Sequence, residues 1–146
     1  MEHEFTVFGQ LDICVAREPE SWIDGVGEGE CLGIGLTGPQ WESIFYQVLN
    51  YTGAEPYKVG EDVDEYYKRV RSHFQSYLCR FPMLSRIWNI YEGVNYMPDE
   101  VEPLRDECYK VLSSTANPYA VEGLNNLIIG CNKALELGYG MVLESD

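Results

Sequence analysis

The chain has 146 residues, with 24 Asp and Glu against 10 Lys and Arg, a net charge of −14 near neutral pH, 45% hydrophobic and 13% aromatic residues. That length suits one acidic globular domain spanning 1–146, able to bury roughly 68–70% of its unfolded surface, and the apolar content is too high for a disordered tail. The charge argues against direct nucleic-acid binding, which needs a cationic face, disfavours docking on an anionic membrane, and favours encounter with a basic protein.

Met1-Glu2-His3-Glu4 is acidic where a secretory signal would be basic, and no apolar run approaches the roughly 18–20 residues of a membrane span. The five cysteines, Cys14, Cys31, Cys79, Cys108 and Cys131, are odd in number and widely spaced, with no C-x-x-C pair and no Cys/His cluster. Reduced core thiols in a cytoplasmic protein are the simplest expectation; disulfides are compatible with it but not required.

In chain order, Phe5, Val7, Leu11, Ile13 and Val15 share one face of an N-terminal strand, opposite Thr6, Gln10 and Asp12, with Gly9 as a bulge. Residues 17–30 form a Gly- and acid-rich loop. A second strand alternates Leu32, Ile34 and Leu36. Thr37 and Gln40 predict a capping box opening a helix with Trp41, Ile44, Phe45, Val48 and Leu49, ending before Gly53. A long helix over 61–81 carries the stripe Val63, Tyr66, Tyr67, Val70, Phe74, Tyr77, Leu78 and Phe81, with i,i+4 pairs Asp64–Lys68 and Glu65–Arg69. Pro82 interrupts it, and a shorter helix with Leu84, Ile87, Trp88 and Tyr91 continues to Gly93.

Residues 94–98 are extended or loop. Asp99 and Glu102 predict another capping box, with Pro103 confined to the first turn. Asn117-Pro118 opens the last helix, whose apolar stripe is Val121, Leu124, Leu127, Ile128, Cys131 and Leu135 and whose stop is Gly138. Tyr139, Met141 and Leu143 mark a final strand. The expected fold is α+β, about five helices packed with a small sheet shared by the N- and C-terminal strands.

No motif predicts catalysis, a cofactor or a metal. Gly33-x-Gly35-x-x-Gly38 has the spacing of a nucleotide loop, but Glu28 and Glu30 precede it, Pro39 removes a helix-start N–H, and no hydrophobic strand follows the helix. His3 and His73 lack ligand partners at i+3 or i+4. The paired acids Asp99/Glu100 and Asp106/Glu107 read as solvated carboxylates.

Charge is unevenly placed. Residues 1–30 hold eight acids against Arg17, net −7, and residues 92–110 hold six against Arg105 and Lys110, net −4. Within the first stretch, Trp22 lies among Glu18, Glu20, Asp24, Glu28 and Glu30, an aromatic ringed by charge on a loop, as at an interface hot spot. The bland alternative is that Trp22 folds back onto the core and the acids are merely solvated. The leading expectation is a bacterial-type inhibitor of the immunity or antitoxin kind that occludes a basic partner such as a nuclease-type toxin, with Trp22 and Tyr51 or Tyr57 as anchors. Two alternatives are a phage-type nucleic-acid mimic blocking a defence protein, and a small enzyme or ligand-binding domain whose tyrosines, His73 and a cysteine converge in a pocket.

Overall fold

Four antiparallel strands form one sheet in the order β2-β1-β4-β3 in the computed structural model, which describes residues 7–22 and 27–145. The strands are β1 (Gln10–Ala16), β2 (Gly29–Thr37), β3 (Val94–Tyr96) and β4 (Gly140–Ser145). The N- and C-terminal strands are neighbours, as expected, pairing Ile13 with Leu143 and Val15 with Met141. The α+β class holds, but the described residues contain four helices and not five: α1 (Gly38–Glu42), α2 (Val63–Tyr77), α3 (Pro98–Leu112) and α4 (Pro118–Leu137). Phe5 and Thr6 of the expected first strand lie outside the described residues.

α4 is the helix whose ends were most legible. The Asn117 side chain accepts hydrogen bonds from the amides of Tyr119 and Ala120, and Gly138 closes the helix at φ 70°. It lies on one face of the sheet through Gly123 and Gly130. A Cβ at Gly130 would stand 2.6 Å from Ile13 Cγ2 and 2.8 Å from Met141 Cε; one at Gly123 would stand 3.0 Å from Leu36 Cδ1. Against this contact pack Leu11, Ile13, Val15, Leu36, Leu124, Leu127, Cys131, Met141 and Leu143, all without solvent exposure.

α1 opens on the expected box: Gln40 N–H donates to Thr37 Oγ1 at 3.3 Å, and Thr37 N–H to Gln40 Oε1 at 3.0 Å. The helix then widens into a π-turn over Ser43–Val48, which keeps Ile44 and Phe45 in the core.

Three expectations fail for identifiable reasons. The helix predicted over 84–91 is only a 3-10 turn, Leu84–Arg86. The Ile87 carbonyl, which a continuing helix would use, accepts instead from the Trp41 indole N–H at 2.8 Å. The stripe along α2 is buried within the helix only at Phe74, while Val63, Tyr67 and Tyr77 are exposed. Arg69 does not turn to Glu65; it makes two 2.9 Å hydrogen bonds to Glu61 and reaches the carbonyls of Glu55 and Pro56, tying the preceding loop to the helix. α3 begins at Pro98, not Asp99, because Glu100 accepts from Met97 N–H at 2.9 Å, and Pro103 therefore falls inside the helix.

The acids of α3 are not all solvated. Glu107 accepts from the amides of Met83 and Leu84 at 2.9–3.1 Å and so anchors the chain after α2, and burial raises its pKa. Arg86 pairs with Glu100 at 2.8 Å and lies 4.7 Å from the centre of the Tyr96 ring.

Two outcomes test these contacts. In Gly130→Val the branched side chain must displace Ile13 or open the helix–sheet contact, so urea denaturation should show a loss of at least about 2 kcal/mol. Arg69 holds the Glu61 carboxyl at about 2 against an ordinary 4.5. Its stabilising effect is therefore present above about pH 4.5 and lost as pH falls towards 2. Glu61→Gln should be less stable than the wild type at pH 7, and the gap should close on acidification to pH 2.

Candidate functional site

The face of the sheet turned away from α4 gathers most of the chemistry that the core does not use. Alternation along β1 sends Leu11, Ile13 and Val15 towards α4, and Asp12, Cys14 and Ala16 the other way. β4 places Val142 opposite Cys14 and Glu144 opposite Asp12 on that same outer face. β2 reaches it through an irregularity: Asp12 pairs with Gly35 but Cys14 with Cys31, so β2 carries two extra residues, with Gly33 at φ 72° among them. That bulge, not one at Gly9, brings Cys31 beside Cys14.

The two cysteines form a disulfide, correcting the expectation of five reduced thiols. Cys14 is buried and Cys31 exposed. The Glu144 carboxylate lies 3.8 Å from Cys14 Sγ and 3.9 Å from Cys31 Sγ. The other three cysteines are free; Cys79 is exposed, and Cys108 and Cys131 are buried. Burial pushes the Cys131 thiol up to about 12 and that of Cys108 well up, so both stay protonated as core groups.

Trp22 covers this face. It is 8% exposed and packs with Cys14, Ala16 and Val142 as a small second core. Gly29 makes room for it, since a Cβ there would come within 2.9 Å of the indole and 2.2 Å of the Val15 carbonyl. Trp22 is therefore a cover for the sheet and not an exposed anchor. A cleft beside it is lined by Arg17, Glu18, Ser21, Trp22, Gly27 and Glu28.

Of the other predicted site residues, Glu18, Glu20, Glu28 and Glu30 are exposed, and Asp24 lies outside the described residues. Glu28 is already engaged: hydrogen bonds from Arg17, at 3.1 Å, and from Tyr139 hold its carboxyl below the usual range. Glu18, Glu20 and Glu30 form no ion pair among the described residues. Glu30 is held on β2 opposite Val15, and the position of Glu18 and Glu20 is set by Pro19, which packs over Gly140. A Cβ on Gly140 would meet the Pro19 ring at 2.3 Å and the Tyr96 carbonyl at 2.4 Å. The acidic loop thus reaches the strand leading into α3, whose first turns carry the exposed Asp99 and Glu102. Glu18 and Glu20 are thereby carried towards the start of α3, whereas Glu30 stays on β2 at the other edge of the sheet.

The remaining motifs resolve as structure. In Gly33-x-Gly35-x-x-Gly38 the Gly38 N–H donates to the Gly9 carbonyl at 2.7 Å, and a Cβ there would strike the Val7 carbonyl at 2.0 Å. The glycine allows two chains to touch and leaves its amide no role in cradling phosphate. Tyr51 and His73 do meet, with the hydroxyl 2.9 Å from Nδ1. Burial raises the Tyr51 phenol to about 12. The rings of Tyr46, His73, Phe74 and Tyr77 lie 4.8–5.6 Å from that of Tyr51, which is 4% exposed, so they fill the space around it. Tyr57 is half exposed and packs on Tyr66.

No helix is long and apolar enough to cross a membrane among the described residues. No family model, curated protein or solved structure matches the chain.

The role assigned to Trp22 has a direct measure. Trp22→Ala strips the cover from Cys14 and Val142 and should lower stability by about 3 kcal/mol in urea denaturation. A loss below about 0.5 kcal/mol would show that the indole is not packed on the sheet.

Proposed function

We propose that the protein is a stoichiometric binding protein of the inhibitor kind, which holds a basic protein partner against its acidic corner. The observation that carries this reading is the course of the loop bearing Glu18 and Glu20, which runs over β4 and β3 to Tyr96, two residues before the helix whose first turns carry Asp99 and Glu102; these four exposed carboxylates form no ion pair among the described residues. Charges crowded with their own kind weaken a fold, whereas opposite a cationic surface they accelerate encounter and select the partner. The exposed Met97 follows Tyr96 directly and offers an apolar contact that slows dissociation. A nuclease-type toxin fits the required chemistry, because its substrate channel is itself cationic.

The test compares the wild type with the E18K/E20K/D99K/E102K variant as bait in an extract of the source organism at low salt. The wild type should retain one basic protein in equimolar amount, release it as salt rises, and block its activity. The variant should fold equally well and retain less than about one tenth as much. Undiminished capture by the variant, or capture indifferent to salt, would sink the reading.

A further inference from the structure

We propose that Cys14, Cys31 and Glu144 form a redox-gated site for a thiophilic divalent cation of the zinc class, closed when the cysteines are joined and open when they are reduced. This site is separate from the acidic corner, and neither proposal depends on the other.

The ligand atoms are already assembled. Sγ of Cys14, Sγ of Cys31 and a carboxylate oxygen of Glu144 all lie within 4.8 Å of one another. A tetrahedral zinc with Zn–S near 2.3 Å and Zn–O near 2.0 Å sets its ligands about 3.5–3.8 Å apart. The Glu144 oxygen is 3.8 and 3.9 Å from the two sulfurs, close to that spacing with respect to both. Cys14 and Cys31 are cross-strand partners on one face. Their Cα atoms are 3.9 Å apart, so once the S–S bond is broken, rotation about each χ1 moves the two sulfurs apart towards ligand spacing.

A second observation points to a cation. Asp12 and Glu144 are directly opposed on β1 and β4, an arrangement of like charges that destabilises a strand pair. Among the described residues no Lys or Arg pairs with either, and Asp12 accepts only from Gln10 Nε2, at 3.0 Å. A divalent ion held by Glu144 beside Asp12 would offset that repulsion. Access is available as well: Cys31 is exposed, and a groove lined by Trp22, Asn95, Val142 and Glu144 reaches the site from the other side. The three protein ligands leave the fourth position to water.

The chemistry balances as follows. An external dithiol reduces the disulfide, giving up two electrons and becoming a disulfide itself, and its two protons end on the Cys14 and Cys31 sulfurs. Binding of the cation forms two metal–sulfur bonds and one metal–oxygen bond to Glu144, and the two thiol protons leave to solvent. The disulfide and the metal-bound state exclude each other, because each sulfur's bonding electrons serve one or the other.

The experiment titrates the full-length chain with Co2+ alone, before and after reduction by a phosphine that is then removed, and follows thiolate-to-cobalt charge transfer and visible ligand-field absorption. The reduced protein should take up one equivalent with tetrahedral absorption and yield it to equimolar Zn2+. The oxidised protein should show none. Glu144→Gln should keep the charge-transfer band but weaken binding by at least about tenfold. Cys31→Ser, an exposed substitution, should lose the site, and Cys79→Ser should leave it intact. Co2+ uptake unchanged by oxidation or in Cys31→Ser would overturn the proposal. So would a disulfide that stays closed under reductant while the fold persists, or a reduced chain that binds no cobalt.

Discussion

Two glycines on one helix determine how closely α4 lies against the sheet, and the rest of the molecule is arranged around that distance. Gly123 and Gly130 are seven residues apart, two helical turns, and so lie on one stripe. At both positions a single methyl group would meet a neighbouring side chain at 3.0 Å or less. The close approach brings α4 over β2 and β1 and lets α1 fit beside it through Gln40 and Ile44. α3 packs on α4, and from α3 the Glu107 carboxylate secures the amides of Met83 and Leu84. Tyr96 completes the link, its hydroxyl donating to the Met83 carbonyl at 2.7 Å. The segment after α2, with no continuous helix of its own, is held by groups that the α4 contact has already positioned.

With every large helix on one face, the opposite face of the sheet must be closed by something smaller. The loop between β1 and β2 does this with one side chain, Trp22, lying over Cys14, Ala16, Val142 and the bare backbone of Gly29. Small residues at those positions are what a flat indole requires. Beyond the edge of the indole the face becomes polar, and there the disulfide, Glu144 and Asp12 stand together. A loop rich in glycine and acids therefore acts first as a lid for the sheet, and its carboxylates are displayed around the rim of that lid.

The sequence disclosed those parts of this arrangement that rest on local chemistry. The Thr37–Gln40 box, the Asn117 cap, the Gly138 stop and the alternation of Leu11, Ile13 and Val15 each depend on residues within a few positions of one another. What it concealed depends on distant partners. The break at Ile87 follows from a tryptophan 46 residues earlier taking its carbonyl. Arg69 ignores the carboxylate one turn away because Glu61 and two loop carbonyls surround it more fully. The Cys14–Cys31 pairing requires two extra residues in β2, and periodicity reads a bulged strand as a regular one: Leu32, Ile34 and Leu36 suggested a single alternating face. Of the candidate site, the acidic residues are legible as composition, whereas the passage of Glu18 and Glu20 to the end of β3 depends on Pro19 finding Gly140, 121 positions along the chain.

The distribution of acids then separates into two populations by what each carboxylate touches. Glu28, Glu61, Glu100 and Glu107 have internal partners, namely Arg17, Arg69, Arg86 and two backbone amides. Removing Glu61, Glu100 or Glu107 would be felt by the fold, whereas the exposed Arg17–Glu28 pair contributes little. Glu18, Glu20, Asp99 and Glu102 form no ion pair among the described residues, and as like charges brought towards the β3 end of the sheet they repel one another. Dispersing them would relieve that repulsion and lose no contact. Asp64, Glu65, Glu92, Asp106 and Glu122 are exposed without an ion pair among the described residues on other elements, where solubility is reason enough for them. In the reading proposed above, a cationic partner surface gives Glu18, Glu20, Asp99 and Glu102 their place, and the β1–β2 loop carries the first two across β4 to β3, the strand that leads into α3.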